Sequence, residues 1–96
     1  MQVILGDSEK WQIEIVKRDQ MPKKTWGDCN NKMKKIRVRV DLSDQNFLDT
    51  FLHEMLHACA FVPLSEEFVE RTASQMAKAL LASGHVVIDR NQFRSK

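Results

Sequence analysis

Ninety-six residues with 43% hydrophobic and 29% charged side chains, three Gly and two Pro, describe one folded domain and exclude a long disordered tract. A net charge of +2 is too small to make nucleic acid an expected partner, and no apolar run approaches the roughly eighteen residues of a membrane span. Two cysteines are no disulfide framework, and Met1-Gln2-Val3-Ile4-Leu5 lacks the basic start and long apolar run of a signal peptide. A cytoplasmic protein with free thiols is therefore expected.

In chain order, Gln2 to Leu5 is a short apolar run and Gly6-Asp7-Ser8 is turn chemistry. Trp11 to Val16 then alternates apolar and polar, the period of a half-buried strand. The two segments predict a hairpin with Trp11, Ile13 and Ile15 inward. Residues 17–25 form a polar connection broken by Pro22, and Trp26-Gly27-Asp28-Cys29 sets an aromatic among loop residues. Asn30-Asn31 suits a turn. Trp11 and Trp26 are expected to anchor the core of a thin sheet.

Lys35 to Asp41 has the cleanest strand pattern: Ile36, Val38 and Val40 face one way, Lys35, Arg37, Arg39 and Asp41 the other. Its charged outer positions suit an exposed or edge strand. The basic run Lys32, Lys34, Lys35, Arg37 and Arg39 is what a solvated strand face carries, and nucleic-acid contact is the less favoured reading of it.

Ser43 or Asp44 can cap a helix running to about Phe61, where Pro63 ends it. Its apolar stripe is Leu48, Phe51, Leu52, Met55, Leu56, Cys59 and Val62, which makes Cys59 a core thiol. Ser65 caps a second helix with the inner stripe Val69, Ala73, Met76, Ala77 and Leu80, and Gly84 fits the position that stops it. His85 to Ile88 is too short to assign, and residues 89–96 form a polar tail. The expectation is a single α+β domain over residues 1–96, a small antiparallel three-stranded sheet packed on two helices.

The first helix contains His53-Glu54-Met55-Leu56-His57, an H-E-x-x-H motif. Two histidines four apart share one helix face, away from the apolar stripe, where both can hold one metal ion. Glu54 projects about 100° round from His53 and can serve a water on that ion as general base. Core packing is already met by the stripe, so the histidine pair is free for chemistry.

Catalytic zinc keeps three protein ligands and one open position, so a third donor is needed. Nothing places His85 near the pair. On the second helix Glu67 points away from the stripe. Glu66 faces inward but sits near the turn, whereas folding the helices about Pro63 brings residues 69–71 level with His57. That reach favours Glu70 and keeps Glu66 as the alternative.

With these residues in place the chain resembles the zincin metallopeptidases, in particular the gluzincins that use His, His and Glu. Glu70 followed by Ala73, Ser74 and Ala77 is similar to the ligand helix of ImmA/IrrE-type peptidases, with Ser74 where those relatives carry Asn or Asp. The order of Trp26 to Cys29, then Ile36 to Val40, then the motif helix is similar to SprT-like domains, whose third histidine this chain lacks. The likeness spans about Thr25 to Leu81 and has the look of a small phage-type protein. It implies one Zn2+ held by His53, His57 and Glu70, with Glu54 activating water and handing its proton to the leaving amine. A peptide or protein substrate would align on the strand Ile36 to Val40. Relatives add an oxyanion stabiliser; the chain has no tyrosine, and Arg71 or His85 would have to serve. The alternative is a non-catalytic module in which the metal stabilises a fold that binds another protein.

Overall fold

The structure, a computed structural model, describes residues 2–5, 9–60, 63–84, 86 and 88. The alternation of Trp11, Ile13 and Ile15 produces β2 (Glu9–Val16), on which β1 (Gln2–Leu5) pairs antiparallel with Val3 opposite Trp11. All three inward residues are buried, as their period requires. Asn30 turns the chain as expected: its Oδ1 accepts the backbone N–H of Lys32 at 3.0 Å and of Met33 at 2.9 Å.

That turn joins two strands. Gly27–Asn30, expected as a loop, is a strand, β3, paired antiparallel with β4 (Lys35–Arg39). Among the described residues the sheet therefore has four strands in the order β1-β2-β4-β3, and β2 and β4 run parallel. The α+β class and the two helices stand as expected, while the sheet is mixed and one strand larger. Composition hid β3, because Gly, Asp and Asn are poor strand formers and only pairing with β4 holds them extended.

β4 is also not an edge. It lies between β2 and β3, and its outer charges survive there through ion pairs across the sheet: Lys35 with Glu14 at 3.1 Å and Arg37 with Asp28. Residues 17–26 carry the chain across the ends of β2 and β4 to reach β3. Met21 is buried beneath this crossing, and Arg39 N–H bonds the Trp26 carbonyl at 2.9 Å. Trp26 itself is 45% exposed, so Trp11 alone serves as the expected aromatic anchor.

One helix packs on β3 and β4, and a second packs on the first. Ser43 caps α1 (Asp44–Cys59) by accepting the Asn46 N–H at 3.2 Å, and Ser65 caps α2 (Glu66–Ser83) by accepting that of Phe68 at 3.1 Å. Gly84 ends α2 with φ +74°, a left-handed conformation that costs glycine little. Ile36 and Val38 are sealed beneath α1 with Trp11, Ile13, Ile15, Leu42 and Phe47; Phe51, Met55, Ala58 and Ile88 pack at the margin. Val69, Ala73 and Ala77 are fully buried, and the two alanines let α2 approach α1 closely, whereas Met76 stays 41% exposed. His85 and the expected tail at 89–96 lie outside the described residues. No helix among the described residues is long and apolar enough to cross a membrane.

Cys59, expected in the core, is the last residue of α1 and is exposed. Cys29 is half-buried, and burial first, then the carboxylates of Glu54 and Asp28, push its thiol up to about 11. Both are free thiols. At mildly alkaline pH, iodoacetamide is expected to label Cys59 and spare Cys29 until denaturant is added, since the thiolate is the reacting form. Peptide mapping that finds Cys29 labelled first in the native protein would contradict this placement.

Candidate metal centre

The buried flank of α1 is set by what it meets. Thr50 and Glu54 are both 8% exposed, turned against β3, where the strand comes so close that only glycine fits. A Cβ at Gly27 would stand 2.6 Å from Thr50 Cγ2 and 2.9 Å from the Arg37 carbonyl oxygen. Gly27→Ala is accordingly expected to cost about 1–3 kcal/mol by overpacking, measured by urea unfolding. Adding Thr50→Ser removes the nearer contact but not the backbone one, so it should restore only part of the loss. A neutral Gly27→Ala would mean that β3 does not sit on α1 as described.

One turn apart on the adjoining face, His53 and His57 have ring centroids 5.0 Å apart and side chains 20% and 27% exposed. The first residue of α2 completes the group. Glu66 Oε1 lies 2.6 Å from His53 Nε2, and its Oε2 lies 3.2 Å from His57 Nε2. These donors all fall within 4.8 Å of one another, so the His-His-Glu group could hold a metal ion. Tetrahedral zinc with bonds of about 2.0–2.1 Å sets its donors about 3.3 Å apart. The two contacts are made by different Glu66 oxygens, so binding through one oxygen needs a shift of that side chain, which is 61% exposed.

Glu70, the carboxylate expected as third ligand, is not among the converging donors; it lines a hollow on the His53 side. Two causes put Glu66 in its place. The start of α2 at Glu66 sets its first residue alongside both histidines. At 100° per residue Glu66 lies about 20° from the mean direction of Val69, Ala73 and Ala77, and Glu70 about 60° from it. Angle outweighed the assumed level of the helices.

Glu54 stands where two open hollows meet. One, of about 590 Å³, has Cys29, Asn31, Glu54, His57 and Pro63 in its lining; the other, of about 570 Å³, has Lys24, Trp26, Gly27, His53, Glu54 and Glu70. Together they form a trough over β3, whose outer edge no other strand covers among the described residues. Burial raises the Glu54 pKa above the usual carboxylate value; the histidines pull it back, and Asp28 and Glu66 add to the rise. A carboxylate so placed is a better proton acceptor than one in free solution.

Arg71, one expected oxyanion stabiliser, is exposed and lies 4.0 Å from Glu67, away from both hollows. Lys24 and Asn31, which sequence reasoning passed over, do line them. Their only signal was membership of segments flanking β3, a strand not foreseen. The basic strip is largely neutralised: Lys34 pairs with Glu9 at 2.8 Å, Lys35 with Glu14, Arg37 with Asp28, and Arg39 with Asp41 at 2.8 Å. Comparison with family models, curated proteins and solved structures finds no match, so the functional case rests on the geometry of the site itself.

Proposed function

We propose that the chain is a zinc-dependent peptide-bond hydrolase with His53, His57 and Glu66 as ligands and Glu54 as general base. The observation that carries this reading is the meeting of three zinc-type donors beside a buried carboxylate in an open trough. Zinc bound there would supply Lewis acidity, acidifying water and polarising a carbonyl. Glu54 takes the proton of the attacking water and delivers it to the departing amine. Gly27 to Asn30 presents the free edge of β3 to an extended peptide, whose backbone it can pair as an added strand. β3 thus takes the aligning role that sequence reasoning gave to β4.

The test is to incubate the zinc-loaded protein with a diverse peptide mixture and follow cleavage by mass spectrometry. Cleavage that stops with chelator and returns with zinc supports the proposal. One observation favours a second reading, a metal-stabilised module that binds a protein partner without cutting it. Among the described residues, no Tyr or Arg and no further His lines either hollow beside Glu54 to stabilise an oxyanion. Stoichiometric zinc with no cleavage of any peptide would select that reading.

A further inference from the structure

The two hollows that meet at Glu54 are unlike in charge. Beyond Glu54 and His57, the one at Cys29 is lined by Asn31, Ala60, Pro63 and Leu64, none of them charged. The one on the His53 side adds two carboxylates, Asp49 and Glu70, and Trp26, which is 45% exposed. Asp49 stands one turn before His53 on α1, and Glu70 one turn after Glu66 on α2, each about 6 Å along its helix from a ligand. Among the described residues neither carboxylate has a salt-bridge partner. Lys24 is the one Lys or Arg of this lining, so the negative charge is in excess before Glu54 is counted. Glu54 itself, 8% exposed, lines the same hollow and forms no ion pair with any described residue.

A buried carboxylate without an ion-pair partner, two more at the rim and an uncovered indole describe a place for a cation on an aliphatic stem. We infer that the hollow on the His53 side is the specificity subsite for a Lys or Arg side chain of the substrate, beside the bond that is cut. This rests on the peptidase reading and names the class of substrate. His53 and Glu54 belong to the same lining, so the residue seated there adjoins the scissile bond rather than lying further along the peptide. A long cationic side chain carries its charge a full turn out from the ligands, to Asp49 and Glu70, while its methylenes cover Trp26. An apolar side chain would meet the ring but leave the carboxylates unused, and Asp or Glu would be repelled by them. The hollow at Cys29 offers no charge beyond the motif and takes an uncharged residue on the other side of the bond.

Short peptides of one common sequence, with Lys, Arg, Ala, Leu or Glu placed at each position in turn, provide the test. Cleavage by the zinc-loaded wild type and binding to the zinc-loaded Glu54→Gln variant, by fluorescence anisotropy, are read in parallel. Lys or Arg beside the cut bond is expected to raise both by about tenfold over Ala at low salt, with part of the gain lost as salt screens it. Asp49→Asn with Glu70→Gln should remove most of that gain at unchanged zinc content. Asp44→Asn with Glu67→Gln, exposed carboxylates of the same helices outside both hollows, should keep it. Glu70→Lys, at an exposed position, should move the preference toward Glu. Equal losses in the two double variants, or no preference for Lys and Arg, would overturn the subsite. Wild type that cuts none of the peptides defeats the peptidase reading, and tighter binding of the Lys peptides then still upholds the cation preference of the hollow. Charge-blind cleavage defeats only the subsite.

Discussion

Glu66→Gln is expected to lower zinc affinity by at least about 100-fold, beyond the 10–100-fold typical of losing a partner behind a ligand. Glu70→Gln, one turn further along the same helix, should leave it unchanged. The two carboxylates share an element and a charge and differ in direction alone. Only Glu66 sits within 2.6 and 3.2 Å of the two Nε2 atoms. Competition against a chromogenic chelator gives the affinities. Unfolding of the zinc-free variants checks the fold, where Glu66, exposed in the first turn of α2, contributes about 0.3–1 kcal/mol through the helix dipole beside its contacts with His53 and His57. A zinc affinity that falls in Glu70→Gln and survives in Glu66→Gln would return the third ligand to the position expected from sequence, and with it a different packing of α2.

That contrast shows where the sequence was legible. Elements whose signal is local could be read directly: the period of Trp11, Ile13 and Ile15, the caps Ser43 and Ser65, the stop at Gly84, and the motif on α1. What failed needed knowledge of neighbours. Gly27 to Asn30 has a loop's composition and becomes a strand because β4 offers it a ladder, and Gly27 is glycine because α1 lies against it. Once β3 takes the edge, β4 becomes interior and the peptide-aligning role passes along with it. Cys59 and Trp26 both look apolar enough for the core, yet one is the last residue of α1, the other directly precedes β3, and both are exposed. The choice of Glu66 over Glu70 turned on helix phase and on where α2 stands along α1, which periodicity constrains loosely. Tertiary placement, rather than residue chemistry, was the hidden quantity.

The largest effect on turnover belongs to Glu54→Gln, which is expected to reduce kcat by about 10²–10⁴-fold while zinc remains bound at one per chain. Glutamine keeps the shape and most of the hydrogen-bonding capacity of the side chain but cannot take up a proton. Glu54 is not one of the convergent donors in the ligand group, so its loss should leave metal content intact. Because it is 8% exposed, replacing it also removes a carboxylate that burial penalises, and the unfolding midpoint of the zinc-free protein should hold or rise. Three readouts then separate the possibilities. Lost turnover with retained zinc and fold assigns proton transfer to Glu54. Turnover that persists in a fully loaded Glu54→Gln protein would show that another group moves the proton, and the trough offers no second buried carboxylate to do so among the described residues. Lost turnover together with lost zinc would mean that Glu54 reaches the metal itself, which its position toward β3 and the Thr50–Gly27 contact argues against.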